Sequence, residues 1–114
     1  MRKPGFRKYG NQTVIVDGMR FDSLKEARRW GELRLLEKGG DITDLQRQVK
    51  IELQGRDGPL LTRTGRKMKL TVDFTYIDKC TGLTVYEDAK GAVTRDYEVR
   101  KSVAEAMGIP VVEV

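Results

Sequence analysis

Histidine is absent from the 114 residues. The general-base and metal-ligand roles that imidazole usually fills are therefore closed to this chain, and any catalysis must use carboxylates, amines, hydroxyls or a bound ion. Cysteine is nearly absent too. Cys80 stands alone, which excludes an intrachain disulfide, argues against a zinc–thiolate site and makes a reducing, intracellular setting the expectation. No apolar run approaches the roughly 20 residues of a membrane helix. The N-terminal MRKPGFRKYG lacks the apolar stretch of a signal peptide. Repeats, linkers and low-complexity segments are missing as well. One domain is expected, long enough to bury a core.

What the chain does have is charge. Lys and Arg number 22 against 17 Asp and Glu, a formal net charge of +5, with a pI near 9.5. Such a surface favours a polyanionic partner, usually nucleic acid. Carboxylates with Mg²⁺ or Mn²⁺ are the natural chemistry for a basic protein without histidine. Residues 1–11 carry Arg2, Lys3, Arg7 and Lys8 among Pro4, Gly5 and Gly10. They read as a flexible basic arm ahead of a single domain over 12–114.

The periodicity predicts the elements in order. Asp17-Gly18 between Thr13–Val16 and Met19–Phe21 is a type I′ hairpin signal. Ser23 caps a helix from about Leu24 to Lys38, with Glu26 as capping-box partner and Gly39-Gly40 as the stop. Leu24, Ala27, Gly31 and Leu35 form its expected apolar stripe, widened by Trp30 and Leu33. Asp41–Arg47 reads as a turn or a short helical piece. Gln48–Leu53 alternates as a half-buried strand. The Gly-rich stretch 54–67 reads as a loop, with Arg56, Arg63, Arg66 and Lys67 against one acid, Asp57. Met68–Ile77 and Leu83–Gly91 are two strands joined by the turn at Asp78–Gly82. A second helix runs from Thr94 to about Met107, its Tyr97, Val103, Ala104 and Met107 facing the sheet and its Arg95, Arg100 and Lys101 facing outward. Gly108 stops it, and Ile109–Val114 is a final strand.

LTVYEDAKG, residues 83–91, is the stretch around which the rest is organised. Alternation puts Val85, Glu87 and Ala89 on one strand face and Tyr86, Asp88 and Lys90 on the other. A carboxylate and an ammonium on one face are costly to bury unless paired or bound to a metal. The neighbouring strand carries one acid among apolar residues, Asp73 between Val72 and Phe74, and a hairpin lets it approach Asp88. Two carboxylates and a lysine at the middle of a small sheet suggest a divalent-metal site. Each residue also has a plainer role: Asp88 and Lys90 as a same-face ion pair, Asp73 as an edge residue, Glu26 as a cap, Gln48 as a polar strand start. Glu87, on the face away from Lys90, reads as structural support for the site, and Cys80 as incidental.

The order helix, three strands, helix, strand, with D-x-K on the third of those strands and an acid on the one before, resembles the PD-(D/E)xK nuclease superfamily. The wording VDGMRFDSLKEARRW, LQRQVKIEL, VDFTY and VYEDAKG is similar to a phage and prophage family within it, related to Holliday-junction resolvases. The likeness runs from Thr13 to the C-terminus. Val72 stands where the motif's name has proline. The resemblance implies an α/β fold with a restriction-endonuclease-like core and a small mixed sheet flanked by helices. It implies Asp73, Asp88 and Lys90 as the motif residues, Glu26 as the acid of the first helix and Gln48 as the glutamine of the first core strand. Mg²⁺ or Mn²⁺ would be held by Asp73, Asp88, the Ala89 carbonyl and Glu26. Charge, apart from the resemblance, points to the basic arm and to Arg56, Arg63, Arg66 and Lys67 of the 54–67 loop as DNA contacts, with Arg95, Arg100 and Lys101 on the second helix as the further candidate surface. The expected activity is a metal-dependent endonuclease selective for branched DNA, acting as a homodimer in the cytoplasm of a bacterial host. A nicking or restriction-like nuclease, and a non-catalytic nucleic-acid binder on the same scaffold, remain the alternatives.

Overall fold

The computed structural model describes residues 13–89 and 94–114. The basic arm and Lys90 therefore lie outside the described residues. β1 (Val14–Val16) and β2 (Met19–Phe21) pair antiparallel. Asp17 and Gly18 between them both take positive φ, 52° and 78°, as a type I′ turn requires. α1 follows as Leu24–Lys38. Ser23 Oγ accepts the Glu26 N–H at its start. At its end Gly40, at φ 86°, lets Asp41 N–H reach back to Leu36 O and Gly40 N–H to Glu37 O, a Schellman closure.

β3 is Ile42–Glu52, eleven residues long, and this corrects the expected turn or helical piece at Asp41–Arg47. A bulge explains the misreading. Thr43 pairs with Ile77 and Gln46 with Thr75, so Asp44 and Leu45 stand opposite Tyr76 alone, with Asp44 at φ 57°. The extra residue spaces the inward apolar positions Ile42 and Leu45 by three, which mimics helical spacing. β4 (Gln54–Gly55) and β5 (Gly58–Pro59) make a small hairpin within the expected loop. Beyond it, Leu60 N–H bonds to Leu53 O and Met68 N–H to Leu60 O.

β6 (Lys69–Asp78), β7 (Thr84–Asp88) and β8 (Val111–Glu113) complete a four-stranded mixed sheet, order β3-β6-β7-β8. The pairs β3/β6 and β6/β7 are antiparallel and β7/β8 is parallel. α2 (Arg95–Ala106) makes the crossover into β8. It is capped by Thr94 and ends at Gly108, φ 90°, with Ile109 N–H bonded to Ala104 O. The molecule is thus mixed α/β, and no helix among the described residues is long and apolar enough to cross a membrane.

Two apolar clusters hold the layers. Phe21, Ala27, Trp30, Leu33, Phe74 and Tyr76 pack under α1. Ile51, Leu53, Leu70, Val72, Ala104 and Val111 pack under α2. On β7, Val85 joins the first and its neighbour Tyr86 the second, so the helices cover opposite sheet faces there. Fully buried Phe21, Phe74, Leu33, Leu53 and Val72 each contribute on the order of 1.5–3 kcal/mol. The stripe of α1 differs from expectation: Leu24 and Leu35 are exposed, and Glu26, Ala27, Trp30 and Leu33 are buried. The helix therefore turns the Glu26 carboxylate toward the sheet beside Trp30 and Leu33, and leaves Leu24 and Leu35 in solvent.

Candidate functional site

Regular pairing of β6 with β7 ends at Phe74 and Glu87. One step further, the side chains of two aspartates replace the ladder. Asp73 N–H donates to Asp88 Oδ1 at 2.9 Å, and Ala89 N–H donates to Asp73 Oδ2 at 2.8 Å. Each carboxylate thus accepts an N–H from the opposite strand. Asp73 also stands where β6 passes from one core cluster to the other, since Leu70 and Val72 belong to the α2 cluster while Phe74 and Tyr76 belong to the α1 cluster.

Two more predicted residues converge on Asp73. Gln48 Nε2 donates to Asp73 Oδ1 and to Glu26 Oε2, both at 3.1 Å. Its pairing neighbours explain the reach: Arg47 faces Phe74 and Val49 faces Val72, so Gln48 lies opposite Asp73. Gln48 holds φ at 53° in the middle of a strand. That left-handed conformation costs a non-glycine residue roughly 1–2 kcal/mol and aims the amide at the two acids. Glu26, Asp73 and Asp88 are 4%, 4% and 0% exposed, whereas Gln48 is exposed and forms the solvent side of the group.

Electrostatics set Glu26 apart from an ordinary surface acid. Burial and the nearby Asp73 charge push the Glu26 carboxyl above the usual carboxylate range, with Arg47 and the Asp22 backbone opposing in part. Arg47 Nη2 lies 3.9 Å from Glu26 Oε2. The same guanidinium sits 4.1 Å over the Phe21 ring and bonds to Arg20 O, tying the β1–β2 hairpin to the site. Glu26 serves the helix start and the site together: its N–H goes to Ser23 and its carboxylate takes both the Asp22 backbone and Gln48.

Glu87 lies on the other side of β7, as alternation requires. Arg29 Nε and Nη2 grip it in a fork at 2.8 and 2.7 Å, and Tyr76 O–H donates to the same carboxylate. Glu87 raises the Arg29 guanidinium further, and burial together with Glu87 pushes the Tyr76 phenol up to about 12. From α2, Tyr97 faces Asp88; burial first and that carboxylate second hold its phenol protonated. Arg47, Arg29 and Tyr76 were not foreseen as site neighbours. The available signal was Arg29, three residues beyond Glu26 and so on the same helix side.

The cations predicted to touch DNA divide into two groups. Arg56, Arg63 and Arg66 are exposed, as is Lys67, which lies 3.7 Å from Glu52. Arg95 is exposed on α2. Arg100 and Lys101 correct the expectation that they point freely outward. Arg100 bonds to Asp96 and to Lys69 O, and Lys101 to Glu113 on β8. Both are half-buried against the sheet because the α2–β8 crossover lays this helix across it.

Among the described residues, no three Asp, Glu, Cys or His side chains gather as a ready-made metal cage. The donors present are all hard oxygens, the type that suits a small divalent cation. The chain matches no curated protein and no solved structure. A family model does match, over residues 6–107. The chain therefore belongs to the DUF1064 family, described as a protein of unknown function.

Proposed function

We propose that this protein is a divalent-metal-dependent DNA endonuclease with a PD-(D/E)xK-type, restriction-endonuclease-like core, most readily a structure-selective enzyme acting on branched DNA as a homodimer. The observation that carries the reading is the meeting of Asp73, Asp88, Glu26 and Gln48 where β6 and β7 part. Buried carboxylates brought together from a helix and two strands, at the cost of a left-handed glutamine, are uneconomical as mere support. The resemblance in wording, VDFTY and VYEDAKG, supports the same reading.

Mg²⁺ usually takes one or two carboxylates and keeps several waters. Asp73 and Asp88, with the Ala89 carbonyl, fit that demand, and Glu26 fits as a further ligand or as the holder of a bound water. When bound, the cation would supply an acidified water and neutralise a phosphate oxygen. The chain's own residues do the rest. Gln48 orients Asp73 and Glu26 through its amide. Arg29 and Tyr76 keep Glu87, and with it the end of β7, in place. Lys90, in the family pattern, would orient the attacking water or offset charge on the phosphate.

The test is incubation of the pure protein with labelled four-way junction, duplex, flap and single strand, with Mg²⁺, Mn²⁺ or EDTA. Metal-dependent cutting that disappears in Asp73→Asn supports the reading. Binding without cutting under every metal would favour the non-catalytic binder, and cutting of duplex in preference to junction would favour a nicking or restriction-like enzyme.

A further inference from the structure

A recess of about 300 Å³ lies between α1 and the end of β8, lined by Lys25, Arg28, Arg29, Glu32 and Val114. The four helix residues are spaced i, i+3, i+4 and i+7, so they form one side of α1. Their charges are not equivalent. Arg29 is committed, with Nε and Nη2 on Glu87 and Nη1 on Glu32. Lys25 and Arg28 are exposed and make no hydrogen bond or ion pair among the described residues. The recess is therefore a concave wall with two uncommitted cations above an internally neutralised base.

Its place matters as much as its charge. Val114 N–H donates to Asp88 O at 3.0 Å, so the floor of the recess is joined to the backbone of the candidate site. Lys25 immediately precedes Glu26. β7 and β8 run parallel, and Asp88 pairs with Glu113 at their common end.

We propose that the recess is a backbone-phosphate subsite for nucleic acid, with Lys25 and Arg28 as its phosphate contacts. This rests on the nucleic-acid reading above and adds α1 to the expected contacts on the 54–67 loop, in place of Arg100 and Lys101 on α2, which are tied down. Small phosphate compounds would lack the second contact at the carboxylates, so a strand is the natural occupant.

The experiment is fluorescence-anisotropy binding of the full chain to labelled duplex and four-way junction in EDTA, over a range of salt. Each neutralised phosphate contributes about −0.9 to the log-affinity versus log-salt slope on duplex DNA, so Lys25→Ala/Arg28→Ala is expected to flatten it by about 1.8 units. Lys25→Arg/Arg28→Lys should keep the slope. A comparison pair, Lys38→Ala/Lys79→Ala, removes the same charge from other exposed positions. An unchanged slope in the recess variant, or equal flattening in the comparison pair, overturns the subsite. Flattening confined to the recess pair, without cutting under any metal, upholds the subsite and removes the nuclease reading. No binding to either DNA overturns both.

Discussion

Asp73 and Asp88 are bound to each other's strands: Asp88 Oδ1 takes the N–H of Asp73, and Asp73 Oδ2 takes the N–H of Ala89. Both acids therefore hold the sheet together at the point where they would act, and structure and chemistry can be separated by the choice of substitution. An asparagine oxygen still accepts an N–H, so Asp88→Asn keeps the bond from Asp73 N–H, and Asp73→Asn keeps the bond from Ala89 N–H while its amide meets Gln48, which must turn to offer its oxygen; both should stay folded, lose Mg²⁺-dependent cleavage and bind DNA as well or better. Asp88→Ala leaves a buried N–H without its acceptor and should cost about 1–3 kcal/mol in urea unfolding. Near-normal cutting by both asparagine variants would remove the aspartates from the reaction.

Gln48 offers the converse separation. Gln48→Gly relieves the left-handed strain, worth roughly 1–2 kcal/mol, but loses the amide. Its melting temperature should hold or rise while turnover falls. If Gln48→Gly cleaves as the parent does, the bridge between Glu26 and Asp73 has no part in turnover.

Glu26 should leave a signature in the pH dependence of stability. Its carboxyl is held above the ordinary value of 4.5 in the folded protein. The folded state thus binds its proton more tightly than the unfolded state does. The Glu26 contribution is most favourable below 4.5 and is lost as pH rises from there through the folded-state value. Glu26→Gln should remove that decline, so in EDTA the variant gains stability relative to the parent between acid and neutral pH. Urea titrations at several pH values check this; parallel curves for the two proteins would contradict it.

The Arg29–Glu87 pair should behave as a buried ion pair. Arg29→Met leaves Glu87, 2% exposed, without its cation and should destabilise by about 3–5 kcal/mol. The double change Arg29→Met/Glu87→Met should recover most of the loss. Chemical denaturation of the three proteins measures the coupling.

Much of the fold was legible because local signals agreed with tertiary structure. Asp17-Gly18, Ser23, Gly40 and Gly108 each sit where their backbone preferences are used. The failures have local causes. Asp41–Arg47 hid a strand because the bulge breaks the two-residue alternation. Hydropathy alone runs the α1 stripe through Leu24 and Leu35 because it does not count a carboxylate as an inward residue. At the site, Glu26, Gln48, Asp73 and Asp88 are named by the resemblance; the structure joins Glu26 and Asp73 through Gln48, and Asp88 to the Asp73 backbone. Arg29's grip on Glu87 and the stacking of Arg47 on Phe21 were not legible, since they join residues 58 and 26 positions apart. Arg100 and Lys101 misled because charge on a helix suggests a solvated face until the strand beneath it is known.

The bulge at Asp44 has a consequence for alignment. Before it, paired residue numbers on β3 and β6 sum to 120; after it they sum to 121, as Thr43–Ile77 and Arg47–Phe74 show. Were the earlier register to continue, Gln48 would stand opposite Val72 instead of Asp73. The edge strand thus works as a vernier whose single added step brings the glutamine onto the aspartate. The length of the segment between Thr43 and Gln46 is as much a part of the site as any side chain in it, and removing one residue there would misalign the site without touching any of its members.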